Sequence, residues 1–322
     1  MLIITLTFSC CSVNSDPKNY NPETQTLLPP VIASAPDKPM LHDSVNLSTN
    51  NAYTTVEVTA SGSSVHVMPD SITIQGKQYS TALTELSLYN MSLTDEDIVP
   101  LQYMSKLRSL NLHINQISDL TPLGTLKDLD WLILNDNQIS DLTPLSNLTR
   151  LTKLNLPDNQ ISDIDPLANL TCLTTLLLND NAVYDLTPLS NHVNLEKLFL
   201  SGNSISDIKP LSDLINLEWL FLHDNRISDL SPLSNHTNLG WLTLNGNQIS
   251  DIDALAGLTK LVELNLSDNQ VSDIRALSAM TRLELLFIGG NPISDEQIAA
   301  LRAVLPGCYI TRNPESYYSD LP

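Results

Sequence analysis

From Leu107 onward the apolar residues fall at fixed places, L-x-x-L-x-L-x-x-N-x-I-S-D-L-x-P-L-x-x-L, with polar residues between them. The pattern restarts every 22 residues, at Leu107, Leu129, Leu151, Leu173, Leu195, Leu217, Leu239 and Leu261. A modified copy begins at Leu283 and a looser one at Leu83. Such a period predicts a solenoid, because each copy can bury its apolar side only against its neighbours. In the first half of a copy, Leu132 and Leu134 alternate with Trp131, Ile133 and Asn135, which is strand periodicity. The second half opens on Ser140-Asp141, whose side chains can accept the free N–H groups of a short helix or 3-10 turn. Pro144 suits the first turn of that segment, where no donor is needed. Asn115, Asn137 and their equivalents to Asn291 recur in register and predict a ladder of side-chain bonds to the backbone. The expected fold class is an α/β repeat solenoid, a parallel sheet on one side and short helical or 3-10 segments on the other.

The flanks read differently. Residues 1–16 begin with an apolar run, Leu2 to Phe8, then Ser9 and Cys10, which marks a signal or lipoprotein-like segment although the basic start is missing. Residues 17–52 carry Pro17, Pro22, Pro29, Pro30, Pro36 and Pro39 among small polar residues, the composition of a disordered tether. Residues 53–82 alternate polar and apolar at Thr54–Thr59, Ser64–Val67 and Ser71–Ile74, with Gly76-Lys77 as a turn, and predict an N-terminal β cap over the first repeat. The repeats occupy 83–293. In 294–311, Ser294 with Gln297 gives a capping box for an amphipathic helix, Pro306-Gly307 ends it and Cys308–Ile310 supplies a last strand, together a C-terminal helical cap. Residues 312–322 are a tail.

The repeat is the leucine-rich repeat, and the 22-residue version with I-S-D-L-x-P-L closely resembles bacterial internalins over about residues 83–310. It also resembles a eukaryotic regulatory subunit of protein phosphatase 1. The first resemblance implies a non-enzymatic protein-binding domain on a cell surface or secreted, with its ligand on a concave sheet. The second implies an intracellular scaffold. No immunoglobulin-like domain or L-P-x-T-G signal follows the repeats, so surface attachment is expected to fall to a lipid on Cys10.

The positions that vary between copies carry the candidate chemistry. Between the inward leucines lie two outward rows. The first reads Ser109, Trp131, Lys153, Thr175, Lys197, Trp219, Trp241, Glu263, Leu285, and the second reads Asn111, Ile133, Asn155, Leu177, Phe199, Phe221, Thr243, Asn265, Phe287. All three tryptophans stand in the first row and three of the four phenylalanines in the second. Leu177, Phe199, Trp219, Phe221 and Trp241 form one contiguous patch, expected to expose several hundred Å², with Trp131 and Ile133 as a smaller spot. Lys153, Lys197, His223, Asn245 and Glu263 are the expected polar rim. The competing reading is that the rings stack on one another to cover the sheet.

Composition narrows the partner. With 16 Lys+Arg against 36 Asp+Glu the net charge is −20, which argues against nucleic acid and anionic membranes. A protein is the expected ligand and a glycan the second choice, bound by a monomer, with membrane association only through the N-terminal lipid. No P-loop, H-x-x-x-H, C-x-x-C or G-x-S-x-G is present, so no catalytic residue, metal or cofactor is expected. His192 and His236, which replace a repeat leucine, read as packing variants. The Asp column from Asp119 to Asp295 reads as capping rather than calcium binding.

Overall fold

The computed structural model describes residues 68–313. The signal-like segment with Cys10, the tether, the strands expected at 54–59 and 64–67, and the tail beyond 313 lie outside the described residues. The hairpin of β1 (Ser71–Ile74) and β2 (Lys77–Ser80) is antiparallel. It places Ile72 and Ile74 in the same apolar core as Leu86 and Leu88.

Eleven strands follow in one parallel sheet, stacked in the order of the chain. They are β3 (Glu85–Ser87), β4 (Ser109–Asn111), β5 (Trp131–Ile133), β6 (Lys153–Asn155), β7 (Thr175–Leu177) and β8 (Lys197–Phe199). They continue with β9 (Trp219–Phe221), β10 (Trp241–Thr243), β11 (Glu263–Asn265), β12 (Leu285–Phe287) and β13 (Tyr309–Thr311). Each strand has only three residues, and its middle residue, leucine in β3 to β12 and Ile310 in β13, is buried. Equivalent residues of successive repeats therefore meet directly, as in Trp131↔Lys153 and Trp219↔Trp241.

The return segments are 3-10 turns such as Thr143–Leu145, with proline at their second residue in most copies. Their N-termini are met by the aspartate two residues earlier: Asp141, Asp185 and Asp229 accept from the N–H of Thr143, Thr187 and Ser231 at 2.8 Å. The aspartate, not the preceding serine, is the acceptor. The hydroxyls of Thr143 and Thr187, followed by these backbone bonds, hold the Asp141 and Asp185 carboxyls below their ordinary value, and the backbone bond followed by the Ser231 hydroxyl does so for Asp229.

The asparagine ladder is present. Asn203 donates through Nδ2 to the carbonyls of Leu178, Leu200 and Ser201 at 2.9–3.1 Å, and its Oδ1 accepts the N–H of Val183 at 2.9 Å. One side chain thus satisfies groups in two adjacent repeats that would otherwise be buried without partners. Beside the ladder, Gly202 has φ +65° and lies under the carboxylate of Asp180. A Cβ there would meet that carboxylate as the side chain now stands, while at the same left-handed position the earlier copies carry Asp136, Asp158 and Asp180.

His192 and His236 are wholly buried at the leucine position of their copies. Burial pulls both imidazoles below their ordinary value, and His236 Nε2 lies 3.1 Å from the carbonyl of Leu211. At the C-terminal end, α1 (Asp295–Val304) opens with the expected capping box, Ser294 N–H to Gln297 Oε1 at 3.1 Å and Gln297 N–H to Ser294 Oγ at 3.3 Å. Its Ile298 and Leu301 are buried, and β13 follows it. No helix among the described residues is long and apolar enough to cross a membrane.

Candidate ligand-binding face

In a three-residue strand whose middle side chain points into the core, the first and third side chains point out. The two outward rows of the sequence are therefore two register rows of the sheet. In the first row, Lys197, Trp219, Trp241 and Glu263 stand on four adjacent strands. In the second, Leu177, Phe199, Phe221 and Thr243 do the same.

The four central rings are half-buried, and they are buried by each other. Phe199 and Phe221 stack with centroids 4.3 Å apart and planes 9° apart, and Trp219 and Trp241 stack at 4.2 Å and 22°. Tilted contacts at 6.5 Å and 6.1 Å join Trp219 to Phe199 and to Phe221. Strand spacing of ~4.8 Å nearly equals a stacking distance, so identical positions in parallel register make this arrangement without adjustment. The free area is accordingly smaller than the sum of separate rings. Two lysines of the expected rim lie over indoles, Lys197 Nζ 5.0 Å from the Trp219 ring centre and Lys153 Nζ 5.2 Å from that of Trp131. Trp131 is the most open of the three tryptophans, at 41 % exposure.

Two members of the expected face are not on the surface. Phe287 is 2 % exposed, and Leu285 on the same strand and its row neighbour Thr311 on β13 are buried as well. The outward assignment was carried to a place where the end of the sheet is closed over, and Phe287 belongs to that closure. Ile133 is 8 % exposed; it stands between Asn111 and Asn155 in its row, and strand alternation alone does not show how far its neighbours cover it.

The remaining rim residues lie where the row pattern puts them. Leu177 and Asn245 are half-buried and Lys153 is exposed. His223 is half-buried, with Nδ1 2.7 Å from Ser201 Oγ and 3.1 Å from Thr243 Oγ1. Burial lowers its imidazole, opposed by the negative Asp224 and Asp180. Ser201 itself is buried at 2 % exposure, so this pair presents no open nucleophile. Burial alone raises the Glu263 carboxyl above its ordinary value.

One residue of the face was missed. Tyr89 is 52 % exposed and stacks on His113 at 5.0 Å. It stands one strand before His113 in the same column, and extending that column back into the loose copy at Leu83 would have found it. Among the described residues no group of three or more His, Cys, Asp or Glu side chains is placed to hold a metal ion.

Comparison with known proteins adds a family and relatives. The model described as Leucine Rich repeats (2 copies) matches seven overlapping or adjoining spans from 81–125 to 259–303. An internalin from Listeria monocytogenes is 29% identical, with TM-score 0.54, over 77% of this chain and 89% of its own. Internalin C2 of the same species is 35% identical, with TM-score 0.57, over 60% of this chain and 86% of its own. A leucine-rich repeat protein of Leptospira interrogans is 27% identical, with TM-score 0.63, over 66% of this chain and 56% of its own. Comparison with curated proteins finds no match.

Proposed function

The chain belongs to the leucine-rich repeat family in its internalin-like form, and from that premise we propose that it is a non-enzymatic protein-binding module displayed on or secreted from a bacterial cell. Its ligand is held on the open sheet face, centred on Phe199, Trp219, Phe221 and Trp241. The observation that carries this reading is the joined set of half-exposed rings on three adjacent strands, rimmed by Lys197, His223, Asn245 and Glu263. Aromatic side chains supply rigid apolar contact at low entropic cost and are favoured interface anchors. Their geometry supports a protein over a glycan: sugar stacking uses open ring faces, and here the faces of Phe199, Phe221 and Trp219 are taken up by neighbouring rings and Lys197. Attachment through a lipid on Cys10 completes the proposal, and mass spectrometry of the mature N-terminus tests that part separately.

The face itself is tested with Trp219→Ala combined with Trp241→Ala. Affinity for a protein captured by the wild-type chain is expected to fall at least about tenfold, since truncating anchors of this kind costs ~2 kcal/mol or more. Circular dichroism should be unchanged. Equal affinity of the folded variant for the captured protein would remove the proposed face.

A further inference from the structure

The first register row runs Lys197, Trp219, Trp241, Glu263 and then the buried Leu285. Two of the three indoles already hold a cation of the chain's own, Lys153 over Trp131 and Lys197 over Trp219. Trp241 is different. Trp219 covers the side of it toward β9, and the side toward β11 meets the strand of Glu263 instead of a lysine. Glu263 is half-buried, and no hydrogen bond or ion pair of its side chain occurs among the described residues. A carboxylate drawn partly out of water without a counter-charge is costly, and a carboxylate beside a ring face gains nothing from the ring's negative quadrupole. Around the slot, Glu218 and Glu284 are exposed at the entries of β9 and β12, so the nearby field is also negative.

We propose that Trp241 and Glu263, register neighbours on β10 and β11, are the two walls of a cation slot on the outward face that takes an arginine side chain of the polypeptide ligand. A guanidinium fits both walls at once: its plane lies on the indole face while its N–H fork donates to the carboxylate. Arginine suits the slot better than lysine because it is planar and more weakly hydrated, so less is lost on leaving water. This inference rests on the proposed use of the face for protein binding and adds the partner's chemistry to it.

A random-peptide display library selected on the full chain separates the two. Wild-type protein is expected to enrich peptides carrying arginine beside apolar residues, and replacing that arginine with citrulline in a selected peptide is expected to weaken binding about tenfold. The isosteric Glu263→Gln variant should lose this preference while still enriching apolar peptides. If binders are lost with Trp219→Ala and Trp241→Ala but show no arginine preference, or if Glu263→Gln retains it, the slot is overturned and the face stands. If the wild type enriches nothing beyond that double variant, both are overturned.

Discussion

At the scale of single residues, the core holds two side chains that respond to pH. His192 and His236 are buried where other copies carry leucine, and burial keeps both imidazoles below their ordinary value. In the unfolded chain each takes a proton near pH 6.5. Below that pH the unfolded state binds protons the folded state refuses, so stability falls until the lowered folded values are reached. The slope is at most about 1.4 kcal/mol per pH unit for each histidine. Denaturant unfolding between neutral and mildly acidic pH should show this decline, and the paired variant His192→Leu with His236→Leu should flatten it. An unchanged slope in that variant would assign the acid sensitivity elsewhere. The cap aspartates act in a lower range, since their depressed carboxyls stabilise above the usual carboxylate value and lose that contribution as pH falls through the folded one.

At the scale of elements, sequence reading reached the strands, the 3-10 returns and the helix of residues 295–304 because each writes its own period or cap. What it could not reach is how far a side chain standing outward is covered by its neighbours. Phe221 and Phe287 occupy the same place in their copies, yet one is half-exposed and the other, paired beside Thr311 of β13, is buried. Ring stacking is equally invisible to a residue-by-residue reading. Strand alternation says only that Phe199 and Phe221 face the same side, while parallel register sets their centroids 4.3 Å apart. A double-mutant cycle with Phe199→Leu and Phe221→Leu should give a coupling of roughly 0.5–1.5 kcal/mol in unfolding. Coupling near zero would mean that these rings contribute nothing to the sheet beyond their separate burial.

At the scale of the whole molecule, the repeat fold of the described residues was legible almost entirely and the candidate site only in outline. Repetition states the architecture nine or so times over, so an error in one copy is corrected by the next. Function is written once, in deviations such as Trp241 and Glu263, and has no second copy to confirm it. The asparagine ladder links the two. Every bond of Asn203 reaches within its own repeat or one repeat back, at separations of 2, 3, 20 and 25 residues, and the longest of the ladder, Asn115 to Leu88 at 27 residues, also goes back only one copy. The molecule is therefore open to editing by whole units. Removing residues 151–172 would join one intact rung to another, leaving the stacked rings at Phe199 to Trp241 untouched. That shortened chain is expected to fold with the same circular dichroism per residue and to keep its ligand, whereas deletion of a fractional unit would put asparagine against carbonyls that are not there. Gene duplication and loss in steps of one repeat would then lengthen or shorten such a protein without redesigning it.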